Sequence, residues 1–314
     1  MTTEDEKIDF AIGGQAVIEG VMMRSPNFYT VTVRNEDGEL KIKQEGFKSL
    51  TARIWGLKAP FFRGIVHLVE SMVIGFRSLN FSSDVFIGTT EEEKEDRHPI
   101  MKVLIGIFGV LYMLGTLAFV IFLLKFLPLW VAEKAAEVWP LVENNYLLFN
   151  AIDGFTKITI FLSYVVAISF LKDIKRVFEY HGAEHKSIWA YEKGLVLTVE
   201  NAKAQSRFHP RCGTSFIFIV ILMSVVVYTF IPSPDEFWAR LGTRILAIPI
   251  IAGMSYELLK LSAKWQKNFL VKMLIWPGLF IQKLTTREPD DSQLEVALHS
   301  LQESLKIENG NTEN

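Results

Sequence analysis

Apolar residues in this chain gather into long runs separated by charged connections. Four runs have the length a bilayer demands, roughly 17–25 apolar residues. They extend from about Met101 to Trp130, Tyr146 to Leu171, Thr214 to Ile231 and Ile245 to Leu261. A fifth, NFLVKMLIWPGLFIQKL, is short and broken by Pro277-Gly278, which predicts an interfacial or re-entrant segment. Elsewhere the pattern changes period. YTVTVRNEDGELKIKQ alternates apolar and polar residues on both sides of Asp37-Gly38, the signature of two strands joined by a tight turn. The preceding GGQAVIEGVMMRSP, with Gly13, Gly14 and Gly20, predicts tight backbone geometry next to a short strand.

SLTARIWGL and APFFRGIVHLVESMVIGFRSL place apolar residues at helical spacing with basic residues at their edges. Such helices either lie in the membrane interface or pack on the bundle, and the pattern favours neither. Near the C-terminus Leu294, Leu298, Leu301 and Leu305 form one helical stripe, with Ser292 and Glu295 at capping-box spacing. A stripe of this kind docks on its own chain more often than on a partner. The expected fold is therefore mainly α and polytopic, with about four transmembrane helices, interfacial helices and a small N-terminal β-hairpin module. Its divisions are a flexible start (1–9), a cytoplasmic or interfacial module (10–98) and a membrane domain (99–283) carrying a loop at 172–213. An amphipathic helix (284–305) and a disordered polar tail (306–314) complete it.

Charge sets the orientation, because basic residues accumulate on the cytoplasmic side. The 172–213 loop holds Lys172, Lys175, Arg176, Lys186, Lys193, Lys203, Arg207 and Arg211; between the first two spans stands Lys134 against Glu133, Glu137 and Glu143. Both termini and the loop are expected in the cytoplasm of a multi-pass protein of the bacterial cytoplasmic membrane. Net charge is −2 over 314 residues, so no nucleic-acid partner is expected; the lipid bilayer is. The acidic opening MTTEDEKIDF lacks the apolar core of a secretory signal. A single cysteine, Cys212, leaves no intrachain disulfide.

The candidate chemistry lies in that loop. In EYHGAEHKS, His181 and His185 are four apart and project from one face of a helix, with Glu184 beside it. The order H-x-x-E-H is the inverted zinc-peptidase motif: two histidine ligands and a glutamate base. FHPRCGTSF adds His209 and Cys212, and imidazole with thiolate is a zinc-type donor set. Taken singly, each has a plainer reading. A boundary histidine is a polar tip, a lone cysteine a small buried hydrophobe, and a lone glutamate a solvated residue. Their co-location in one loop favours a metal, with zinc the expected cofactor. Four protein ligands make a structural clip, whereas three leave a position for water with Glu184 as base. Arg211 is the candidate for stabilising negative charge. Tyr180, Tyr191, Asp173, Glu179 and Glu192 are candidates for contacting substrate or orienting imidazoles. Asp153, Lys157 and Glu257 lie within the spans as candidates for a pathway or a polar core, with solvation near helix ends the favoured expectation for their charges.

The strings GGQAVIEGVMMRSP, PFFRGIVHLVESMVIGFRSL, EYHGAEHKS, FHPRCGTSF and LTTREPDDSQLEVAL together resemble the YqhQ-like family of bacterial membrane proteins, domain-of-unknown-function family 1385. The resemblance implies a multispanning protein with metal-dependent enzyme chemistry and a metal at His181, His185, His209 and Cys212. It names no substrate. It also draws Glu19 and Arg24 in as outside candidates for the site. The leading expectation is a zinc-dependent hydrolase, a peptidase or amidase, at the cytoplasmic face. The alternative is a membrane scaffold or assembly factor with a structural zinc, binding a partner protein or forming an oligomer. A transporter using Asp153, Lys157 and Glu257 ranks last.

Overall fold

The computed structural model describes residues 12–88, 99–231, 234–264 and 268–312. The expected flexible start at 1–9 and most of the charged linker, including His98, lie outside the described residues.

Gly13–Val17 (β1), Gly20–Arg24 (β2), Phe28–Arg34 (β3) and Leu40–Gly46 (β4) form one antiparallel meander in chain order. The predicted hairpin is its β3–β4 half, where Arg34 faces Leu40 across a connection whose Gly38 has φ +85°. The sheet is larger than a hairpin because the glycine-rich segment is itself β1 and β2, joined by the two-residue turn Ile18-Glu19. That turn lacks the Asn-Gly or Asp-Gly signature of its class. Glu19 has φ +50°, and its carboxylate is held by an ion pair with Arg176 and by the Tyr180 hydroxyl at 3.3 Å.

Helix α1 (Leu50–Arg53) leads to α2 (Phe62–Ile87). Helices α3 (Pro99–Ile121) and α4 (Leu127–Val138) run on from each other through a π-helical turn, Phe122–Phe126. Pro128 has no N–H to donate one turn back and its ring needs room there; a widened turn provides it. Then come α5 (Pro140–Glu143), α6 (Tyr146–Ile168), α7 (Lys172–Glu192), α8 (Val199–Lys203) and α9 (Gly213–Phe230). The last are α10 (Phe237–Leu246), α11 (Ile248–Lys264), α12 (Phe269–Thr285) and α13 (Asp291–Thr312).

Among the described residues, three stretches are long and apolar enough to cross a membrane: Val103–Val138, Tyr146–Ile168 and Gly213–Phe230. A fourth is made by Phe237–Leu246 with Ile248–Ser262, bent by 42° at their junction, if the pair is one span. The first and fourth apolar units are thus longer than their sequence runs. The fifth run is α12, with Pro277 inside the helix. Gly278 presses α12 onto α9, since a Cβ there would stand 2.4 Å from Ser215 Oγ.

Strand alternation gives the sheet two buried faces. Val17, Met22, Tyr29, Val31 and Val33 meet α2 around Ile74, while Val21 and Met23 meet α7 and α13. Leu294, Leu298 and Leu301 of the predicted stripe are buried in that second layer with Tyr180 and Ala183. Each leucine so buried is worth roughly 1.5–3 kcal/mol of transfer from water. The cap of α13 differs from the expected one. Asp290 Oδ1 accepts the Gln293 N–H at 2.8 Å and Gln293 Oε1 accepts the Asp290 N–H at 3.0 Å, a reciprocal box two residues earlier. The stretch after Leu305, expected to be disordered, continues the helix to Thr312.

Candidate metal centre

Helix α7 carries His181, Glu184 and His185 well inside its length, so helical geometry turns all three toward β1 and the start of α9. Gly182 lets the chain after α12 cross directly over α7: a Cβ at Gly182 would meet the Arg287 carbonyl oxygen at 2.0 Å. This crossing strap orients the first imidazole. His181 Nδ1–H donates to the Thr285 carbonyl at 2.8 Å, and His185 Nδ1–H donates to the Arg207 carbonyl at 2.6 Å. Both hydrogen bonds select the tautomer whose Nε2 keeps a lone pair, the arrangement of metal-binding histidines.

The two Nε2 atoms converge with the thiol. His181 Nε2 is 3.2 Å from Cys212 Sγ, and the donor atoms of His181, His185 and Cys212 lie within 4.8 Å of one another. His185 Nε2 is buried without a hydrogen-bond partner. Burial also pushes the His185 pKa down, which keeps the ring neutral. Cys212 caps α9, its sulfur accepting the Thr214 N–H.

Glu184 is buried beside them, Oε2 standing 3.5 Å from His185 Nε2 and 4.0 Å from His181 Nε2. Burial raises its pKa above the ordinary carboxylate value, partly offset by His181, His209 and the Gly14 N–H, which donates to it. Gly14 is required here by space, because a Cβ would stand 2.5 Å from Glu184 Cγ. A half-open cavity of about 610 Å³ lies over the group, walled by β1, α7 and the start of α9.

The structure does not bring His209 into this cluster. Its Nε2 faces Glu192 at 3.4 Å and its Nδ1 accepts the Arg211 N–H at 3.3 Å. Gln282 fixes its backbone, accepting the His209 N–H at 2.8 Å and donating to its carbonyl at 2.8 Å. The ring therefore lines the cavity with both nitrogens engaged elsewhere. Arg211 also lines the cavity, ion-paired with Glu192, and burial lowers its pKa.

Neither Glu19 nor Arg24 completes the site. Glu19 ties the sheet to α7 through Arg176, and Arg24 ties it to α2 through Ser71 and Glu70. Tyr180 serves Glu19, and Glu179 accepts from Gln293 at 3.1 Å. Main-chain carbonyls orient the His181 and His185 imidazoles, whereas the Glu192 carboxylate engages that of His209. Asp153 and Lys157 are buried rather than solvated: they pair with each other, and Asp153 reaches Arg244 at 2.6 Å. Glu257 holds Arg63 at 2.8 Å across the α2–α11 packing.

Two nitrogens and one sulfur within 4.8 Å of one another form a donor set suited to a zinc-type cation. The unpartnered His185 Nε2 is the observation that favours such a fit.

The family model described as "Protein of unknown function (DUF1385)" matches residues 59–307. The chain belongs to this family. It is 37% identical over 305 residues to the "Uncharacterized protein YqhQ" of Bacillus subtilis (strain 168), covering 96% of this chain and 94% of that protein. No solved structure matches the chain. The match to the family model takes in the whole of the His181–Cys212 loop and leaves β1–β4 before its first residue.

Proposed function

We propose that this protein is a membrane-bound, zinc-dependent hydrolase of the peptidase or amidase type, acting at the cytoplasmic face of the bacterial membrane. The observation that carries this is the convergence of two imidazole nitrogens and one sulfur, with a buried carboxylate beside them under a half-open cavity. Three protein donors leave a coordination position open, which a structural clip would fill. A cation bound there supplies Lewis acidity toward a carbonyl and a water.

The side chains supply the rest. Glu184, with its pKa raised by burial, takes a proton from the attacking water and returns it to the leaving amine. His181 and His185 hold their positions through the Thr285 and Arg207 carbonyls. Arg211, anchored by Glu192, offers positive charge to a carboxylate or developing oxyanion in the cavity.

Glu184→Gln is isosteric and keeps an acceptor for the Gly14 N–H. It is expected to cut turnover by roughly 10²–10⁴-fold while leaving bound zinc unchanged. Metal-loaded, folded Glu184→Gln protein with full activity in cells would end the hydrolase reading.

A further inference from the structure

One wall of the cavity over Glu184 is an unpaired strand edge. β1 is the outer strand of the meander, and its two-residue turn fixes the hydrogen-bond phase: Val17, Gln15 and Gly13 pair with β2. Gly14, Ala16 and Ile18 therefore direct their N–H and carbonyl groups away from the sheet. Two of these donors are already engaged, Gly14 N–H by Glu184 and Ile18 N–H by Ser82 Oγ at 3.3 Å. Between them, Ala16 has no hydrogen-bond partner on its outward side among the described residues, and it lines the cavity.

The surroundings favour a second backbone there. Gly13 presents no side chain, and a Cβ built on it meets nothing within 4 Å. Across the cavity stand Val177, Phe178 and Ile217, an apolar wall suited to side chains projecting from an extended chain. A lipid chain would satisfy that wall but leave the Ala16 amide and carbonyl unpaired. An extended peptide satisfies both, as in strand addition to an exposed sheet edge.

We infer that the cavity binds an extended apolar polypeptide segment, which adds to the free edge of β1 at Ala16 and lays a peptide carbonyl beside His181, His185 and Cys212. Cleavage of the bound segment rests on the proposed hydrolase; its binding does not. The signature of binding is a period of two, because an edge strand bonds only alternate residues of its partner.

The test uses the full chain with zinc, in detergent, and blocked fluorescent peptides as long as β1, five residues, drawn from a randomised apolar library. The best binder is then N-methylated at each amide in turn. Polarisation reads affinity and mass spectrometry reads cleavage. The expected result is a loss of about tenfold or more at alternate amides and little change at those between, consistent with stranding a buried backbone partner. Ala16→Pro removes the outward N–H without touching the β2 ladder and is expected to weaken the same peptide about tenfold. Because the methyl scan alters the ligand, it remains decisive if that variant folds poorly. Alternating sensitivity without cleavage upholds strand addition and sinks the hydrolase. A flat scan with cleavage does the reverse. The inference is also overturned if no library peptide binds.

Discussion

At the scale of single residues, the centre depends on groups that hold rather than groups that react. The Thr285 and Arg207 carbonyls aim the two imidazoles, and Gly14 both makes room for Glu184 and donates to it. Gly14→Ala would place a methyl where the Glu184 side chain now lies, forcing the carboxylate to shift. Displacements near 1 Å cost roughly 10²-fold in rate. If the proposed zinc hydrolase is right, the variant is expected to bind zinc as wild type does and lose about that much turnover, measured alongside wild type at saturating substrate; unchanged turnover would contradict the placement of Glu184. That His181, Glu184 and His185 stand together is legible in the sequence because helical spacing puts them on one face. Cys212 is legible from its proximity in the same loop. His209 stands outside the cluster because its ring is engaged by Glu192 and its backbone by Gln282, 73 positions away. The orienting carbonyls are invisible in sequence, since every residue type carries one.

Among elements, legibility follows how each turn or break is encoded. The β3–β4 hairpin announces itself through Asp37-Gly38, whereas β1–β2 turns on Ile18-Glu19 and relies on tertiary contacts from Arg176 and Tyr180. The leucine stripe of α13 is plain from its spacing, but its cap sits at Asp290 because Gln293 completes the box there. Buried charge between the apolar helices was the least legible feature. Asp153 of α6 serves Lys157 one turn on and Arg244 of α10, and all three are buried. Arg244 also bonds Asn150 at 2.7 Å, and Lys125 reaches the Tyr228 hydroxyl at 2.9 Å beside this group. Asp153→Asn would leave two buried cations without a counter-charge, a loss of about 3–5 kcal/mol. A clear fall in melting temperature in detergent is expected, with partial recovery when Lys157→Met is added. An unaltered melting curve for Asp153→Asn would refute the pairing.

For the whole molecule, the decisive feature is that its two ends share a core. β2, from before the apolar helices, and α13, from after them, are buried together with α7. If the apolar helices cross a membrane, the number of crossings between those ends must be even. Three long apolar helices alone would separate them, so the bent α10–α11 pair supports a fourth crossing. The same geometry would put the His181–Cys212 loop on the side of both ends, and the lysine and arginine distribution is the ground for proposing that this side is cytoplasmic. Reporter fusions at both ends are expected to behave as cytoplasmic, and one inserted between α4 and α6 as external; termini on opposite sides would contradict the even count.

The α2 helix adds to this arrangement. It turns Gly75, Ser78 and Ser82 toward the sheet and leaves Met72, Val73 and Phe76 exposed, which favours an interfacial position over burial in the bundle. The cavity over the centre would then open near the membrane surface, where an apolar extended segment could reach β1.

The proposed function requires one cation held by His181, His185 and Cys212. X-ray absorption at the zinc edge of the purified full chain, with metal content measured on the same sample, tests it most directly. The expected result is one zinc per chain with two imidazole nitrogens, one sulfur and one non-protein oxygen, and loss of that signal in Cys212→Ala and His185→Ala. A chain that purifies without metal and binds none on addition would contradict it, as would a shell of three nitrogens and one sulfur, which would return His209 to the site and close it.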